Sequence, residues 1–192
     1  MPAVLLPLSI VWLQFPPTGQ TALPKPPELV PAAKGARWPT DSKDGQPVLL
    51  GRATREEILA HRGAFGEYIL KHPIPPELET RWKSVQRPIT IVCAFGSWCG
   101  DTQREIPDLL ALEGMKNPFI DVIYLGVYRD KKLRSGDWPK GIPEQAFSHV
   151  PTLFFFEQEA RGWKPMGSIV ENPPKQGQRM AEAVLDLLEA SN

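Results

Sequence analysis

The sequence predicts an α/β fold, and three observations carry that reading. Ile89–Phe95 is a short run rich in β-branched and apolar residues, the pattern of a buried strand. Residues 119–127 alternate well enough for a second strand beside it, and 101–112 between them read as a helix. Residues 178–189 then set Met180, Val184, Leu187 and Leu188 at helical spacing, which closes the chain with another helix.

The chain has 192 residues, enough for one domain with a substantial core. Lys plus Arg and Asp plus Glu number 22 each, so the balance gives no electrostatic footprint for nucleic acid or an acidic membrane surface. The two cysteines, Cys93 and Cys99, make no disulfide scaffold and no zinc spacing. Residues 4–15 are mostly apolar, too short to span a bilayer but suited to the core of a secretory signal. We therefore expect residues 1–22 to be a signal-like segment and the protein to be exported, periplasmic or secreted. The alternative is a cytoplasmic protein, because no Lys or Arg precedes the run. Residues 23–47 carry Pro24, Pro26, Pro27, Pro31, Pro39 and Pro47 with few large apolar residues, an extended tether before a folded domain at 48–192.

Within that domain, 48–50 suit a short strand. Thr54, with Glu57 three residues on, reads as the cap of a helix whose apolar side is Ile58, Leu59, Phe65, Tyr68 and Ile69. Gly63 and Gly66 weaken that helix and Pro73 ends it. Residues 77–85 form a second helix, burying Leu78, Trp82 and Val85. His61 and His72, in this stretch, read as structural or solvated. Residues 129–141, with Arg129, Lys131, Lys132, Arg134 and Lys140, read as a solvated loop. Residues 152–156 and 164–170 form an antiparallel hairpin across 157–163.

The chemistry concentrates where the first strand ends. Gly96 and Ser97 break the apolar run, and Trp98 and Cys99 precede the helix at 101–112. A cysteine at that turn sits near the free N–H groups of the first helical turn, and those donors and the helix dipole favour thiolate over thiol. Cys99 is thus the candidate nucleophile. Thr102, one turn on, can face it and donate to the sulfur. Asp101 suits the helix dipole but opposes the thiolate by like charge. Arg104 and Glu105 read as solvated helix positions. Cys93 shares a strand face with Phe95 and reads as a small buried apolar residue.

The stretch 88–107 resembles the active-site segment of the thioredoxin superfamily. The match runs through the strand, Trp98-Cys99-Gly100, the helix, and Pro107, which falls where that family has a proline inside the active-site helix. Val150-Pro151-Thr152, before the apolar run at 153–156, resembles the family's cis-proline entering a central strand. The resemblance implies a thioredoxin-like fold: a central mixed β-sheet flanked by helices on both faces, here with extra N-terminal helices. It also implies that Val150 and Pro151 lie across from the nucleophile, Val150 offering its backbone to a bound peptide, and that Trp98 forms a docking rim; the alternative for Trp98 is packing on the domain. His149 is a remote candidate base. The departure is at Cys99-Gly100-Asp101-Thr102, where dithiol members carry a second cysteine in place of Thr102, and often a buried acid in place of Cys93. The site is monothiol.

These features lead to an expectation and an alternative. The expectation is a thioredoxin-type oxidoreductase that exchanges thiols with protein disulfides or mixed disulfides through Cys99. It needs no bound cofactor, and glutathione or another external thiol acts as reductant. The alternative is a non-catalytic thioredoxin-fold module that binds peptides or proteins. No membrane span is expected in the folded domain. A one-cysteine peroxidase places its threonine three residues before the cysteine, not after, and so ranks below both.

Overall fold

The computed structural model describes residues 39–190; the signal-like segment at 1–22 and most of the tether lie outside the described residues. Ten elements follow in chain order. β1 (Gly51–Ala53), α1 (Arg55–His61), α2 (Gly63–Lys71) and α3 (Pro76–Ser84) lead into β2 (Ile89–Phe95). α4 (Gly100–Gly114) joins β2 to β3 (Ile120–Gly126). β4 (Thr152–Glu159), β5 (Gly162–Val170) and α5 (Met180–Ala190) complete the chain. The five strands form one mixed sheet in the order β1-β3-β2-β4-β5. β2 and β3 are parallel, from Ile89 against Ile120 to Phe95 against Gly126, while the other pairings are antiparallel.

Local sequence explains the boundaries. Thr54 caps α1 through a capping box: its Oγ1 accepts from Glu57 N–H at 3.1 Å, and Glu57 Oε2 accepts from Thr54 N–H at 2.9 Å. The single helix expected after Thr54 is two helices, divided at Arg62, whose φ of −139° and ψ of 110° are extended just before Gly63. α3 opens on Pro76, whose missing N–H costs nothing in a first turn. The expected strand at 48–50 lies three residues later, at β1, and Leu49 N–H donates instead to Ser97 Oγ at 3.0 Å. The hairpin is tighter than expected, with only Ala160 and Arg161 between β4 and β5. β5 tolerates Pro165 because it is an edge strand and its register shifts opposite Phe155 and Phe156.

The two faces of the sheet are covered differently. Ile89, Ile91, Cys93 and Phe95 of β2 face a core to which all five helices contribute, including Ile58, Phe65, Trp82, Leu109 and Val184. Val92, Ile123, Leu125, Phe154 and Phe156 face a second core with no helix in it. Helices on both faces were expected; instead Trp138 and Ile142, with Leu133 and Phe147, cover this face from the irregular stretch 127–151. The Trp138 ring meets Phe154 and Phe156 edge-on at 5.7 and 6.4 Å, and its Nε1–H donates to Ile142 O at 3.0 Å. The stretch read as a solvated loop is therefore partly core. Pro139 and Pro143, together with Gly136 and Gly141 at positive φ, keep it from becoming a helix.

Two carboxylates are held inside this frame. Asp108 of α4, 4% exposed, accepts from Arg179 Nη2 at 2.5 Å and Nε at 3.2 Å, and from Ala181 N–H at 3.2 Å. The same guanidinium donates to His72 O and Pro73 O, so one pair ties α4 to the end of α2 and the start of α5. Asp108→Ala leaves that cation with no carboxylate, and urea unfolding should show a loss of about 3 kcal/mol. Glu113, at the end of α4, accepts from the buried Tyr124 Oη at 2.8 Å. Burial pushes its carboxyl up to about 6, against the opposing effects of the Tyr124 hydrogen bond and Arg55. The folded chain then holds this proton more tightly than the unfolded chain, whose Glu titrates near ~4.3. The contribution is fully present below that value and is lost as pH rises toward about 6. Glu113→Gln should remove this part of the slope, seen as a flatter stability profile across that window in denaturant unfolding.

Candidate functional site

The site forms where β2 ends and α4 begins. Cys99 N–H donates to Gly96 O at 2.8 Å, closing a tight turn, and Cys99 O accepts from Gln103 N–H at 3.1 Å, opening the helix. Cys99 is thus the N-cap residue of α4, with φ −89° and ψ 131°. Its sulfur makes no cap hydrogen bond to the helix N–H groups. It turns across the turn instead: Sγ–H donates to Val150 O at 3.3 Å and lies 4.0 Å from Asp101 Oδ2. The Val150–Pro151 peptide is cis, and Val150 is buried at the entry to β4. The structure therefore brings Cys99, Val150 and Pro151 together from opposite ends of the sequence motif. Cys99 is half-buried and both cysteines are free.

Thr102 is fully buried one turn beyond Cys99, and its Oγ1 has no hydrogen-bond partner. The hydroxyl expected to donate to the sulfur does not do so here. Pro107 lies inside α4, as the sequence predicts. Cys93 is wholly enclosed in the helical core, and burial, with the Glu113 charge, pushes its thiol up. His149 is exposed, and its Nδ1 meets Ser148 Oγ at 2.9 Å. His72 stacks near Tyr68, with ring centroids 4.3 Å apart, and burial pushes the His61 imidazole down.

Of the two readings of Trp98, a docking rim or packing on the domain, the residue follows the second. Its ring lies over Gly96, where an added Cβ would stand 2.7 Å from Cε2, and its Nε1–H donates to Val127 O at 3.1 Å. The Arg129 guanidinium covers the ring at 4.9 Å from its centroid. Glu105, expected in solvent, is 9% exposed and accepts from Arg104 Nε at 2.6 Å. Arg104 remains exposed, but its Nη2 donates to Asp101 Oδ1 at 2.7 Å and to Asn172 Oδ1 at 2.6 Å. That fork holds Asp101 beside Cys99. Ser97, read only as the end of a strand, is fully buried, and its carbonyl accepts from Gln103 Nε2 at 3.2 Å. No sequence pattern marks Ser97, Asn172 or Arg129, because their partners come from remote parts of the chain.

Among the described residues no group of His, Cys, Asp or Glu is placed to hold a metal ion, and no helix is long and apolar enough to cross a membrane. No family model matches the chain, and no curated protein matches it. Among solved structures, a protein of unknown function from Pseudomonas aeruginosa is similar over 73% of this chain and 87% of its own, with 19% identity and a TM-score of 0.50. An HIV epitope-scaffold is similar over 71% of this chain and 84% of its own, with 20% identity and a TM-score of 0.46. The first likeness bears on the fold alone.

The unpaired Thr102 hydroxyl has a measurable cost, since a buried polar group without a partner is unfavourable by about 1–3 kcal/mol. Thr102→Val, which keeps the shape and removes the hydroxyl, should raise stability by about 1 kcal/mol in chemical denaturation. An unchanged or lowered midpoint would show that the hydroxyl is satisfied in solution.

Proposed function

We propose that this protein is a thioredoxin-like monothiol exchange protein that acts on protein disulfides or mixed disulfides through Cys99. The observation that carries the reading is the 3.3 Å approach of Cys99 Sγ to the carbonyl of Val150, the residue before the cis-proline. It supports the family assignment drawn from 88–107, as do Pro107 inside α4 and the parallel β2–α4–β3 unit followed by the β4–β5 hairpin. In this reading a substrate segment lies against Val150 and Pro151, with Trp98 holding the turn beside them.

In the exchange step the Cys99 thiolate attacks one sulfur of the substrate disulfide. A new S–S bond joins Cys99 to that sulfur, and the other sulfur leaves as a thiolate. No internal thiol reverses this. Thr102 stands where the second cysteine would be and cannot attack, and Cys93 is sealed in the core. An internal thiol would act at an effective concentration far above any free one, so its absence makes the mixed disulfide long-lived. Glutathione or another external thiol then attacks the mixed disulfide, returns Cys99 as a thiol and carries the released group away. The reading places this chemistry in an exported protein.

A second reading, a peptide-binding module without chemistry, draws on a specific observation. The described polar partners of Sγ are acceptors, Val150 O and Asp101 Oδ2, and no helix N–H caps it. Binding that survives Cys99→Ser would favour this module.

The direct test incubates the purified full chain with a glutathionylated peptide and reads adducts by mass spectrometry. The expected result is a single adduct on Cys99, released by reduced glutathione and absent from Cys99→Ser. A native protein that forms no adduct on Cys99 would overturn the exchange function.

A further inference from the structure

The stretch 39–50, the folded end of the tether and the first residues of the domain, reaches the site at two points. Residues 39–47 form a closed turn: Thr40 bridges Pro47, Asp41 N–H donates to Gln46 O at 2.7 Å, and Val48 N–H donates to Pro39 O at 2.8 Å. Two residues beyond Pro47, Leu49 N–H donates to Ser97 Oγ inside the Cys99 turn. The second contact is ionic. Asp41 is 1% exposed, and its Oδ2 accepts from Arg129 Nε at 2.6 Å, with Nη2 at 2.5 Å. Asp44 Oδ2 takes Nη2 as well, at 3.1 Å. Ser42 N–H donates to Tyr128 Oη at 3.2 Å beside it.

A guanidinium fixed on one side by a buried carboxylate has its flat face free for an aromatic ring. That face lies on Trp98. The ring's other constraints are Gly96, which leaves no room for a Cβ, and Val127 O. Trp98 is the residue next to Cys99, so the ring's position sets the path of the turn that carries the sulfur. A carboxylate is buried only at considerable cost unless it is paired. The Arg129 hydrogen bond also holds the Asp41 carboxyl below the usual carboxylate range.

We propose that Asp41 and Arg129 are positioning residues for the Cys99 site: the carboxylate of the tether's folded end fixes the guanidinium, the guanidinium fixes Trp98, and Trp98 holds Cys99 half-buried against Val150. The stretch read as a plain spacer thus ends in a part of the site. This rests on reading Cys99 as the reacting sulfur, but its test uses alkylation rather than disulfide exchange, so the two can fail separately.

The experiment measures iodoacetamide labelling of Cys99, peptide by peptide, in the native full chain. Arg129→Lys keeps a cation for Asp41 but removes the planar face over Trp98. It should leave the thermal midpoint near that of the unaltered protein and label Cys99 roughly fivefold faster, the factor expected from losing one cation–π contact. Asp41→Asn, the second variant, should act in the same direction. Cys93 is the internal control, because it is sealed in the core and labels only when the whole domain opens. Faster labelling of Cys99 with Cys93 unlabelled supports the positioning role. Labelling of both cysteines together, or a Cys99 rate equal to that of the unaltered protein in Arg129→Lys, overturns it. An unaltered protein that forms no adduct with the glutathionylated peptide, while the variants show the expected alkylation pattern, would instead count against the exchange function alone.

Discussion

Everything in this structure depends on β2 being buried on both faces at once. Its seven residues, Ile89–Phe95, are all buried, none more than 2% exposed. Fully burying one side chain of this kind contributes about 1.5–3 kcal/mol, so the strand cannot sit at an edge or present a face to water. β3 and β4 must flank it, and two separate cores must cover it. A strand so placed ends with its last residues deep in the sheet. The chain must turn sharply there, and Gly96, with no Cβ to meet the Trp98 ring, lets it do so. Cys99 emerges from that turn half-buried, with its sulfur against Val150 O.

Four carboxylates near this frame meet a cation or a hydroxyl, whereas the half-buried Asp121 keeps an Oδ2 with no hydrogen-bond partner. Asp108 has Arg179, Asp41 has Arg129, Glu105 has Arg104, and Glu113 has Tyr124. The first three join elements far apart in the chain or brace the start of α4. The fourth is different, because a neutral phenol stabilises a carboxylate less than a guanidinium does, and burial wins. Cys93 belongs to the same enclosed region, paired in register with Tyr124 across β2 and β3. Its surroundings disfavour a thiolate.

Much of this was legible in the sequence where the signal is local. The capping box at Thr54 and Glu57, the apolar run of β2, the helix after Cys99 and the spacing in α5 each lie within one or two turns of chain, and each appears as read. The pairing of Cys99 with Val150 spans 51 residues, and only the motif Val150-Pro151-Thr152 pointed to it. Other features left no mark. A single Asp41 in a proline-rich stretch is indistinguishable from a solvated acid until Arg129 is placed 88 residues away. Trp138 and Ile142 sit among lysines, prolines and glycines with no periodicity, so a segment that covers the second core reads as a surface loop. Periodicity detects faces of regular elements, and an irregular segment has none.

That irregular segment is also where the site gains its character. A helix between β3 and β4 would cover the second face of the sheet with a regular stripe and leave the walls of the site to loops at its ends. Here the chain from Val127 to Pro151 covers that face with scattered aromatic and aliphatic side chains, so its backbone is free to follow the rim of the sheet. It starts by giving Val127 O to Trp98, continues with Arg129 over the same ring, and finishes with Val150 O against the sulfur. One continuous piece thus meets the Cys99 sulfur through Val150 and the neighbouring Trp98 ring through Val127 and Arg129, and its interior is fixed by Trp138 and Ile142 in the second core. Packing under the sheet and geometry at the sulfur are therefore linked through a single segment. A change that loosens Trp138 against Phe154 and Phe156 acts on the placement of Val150 and Arg129 as well, even though it touches no residue of the site.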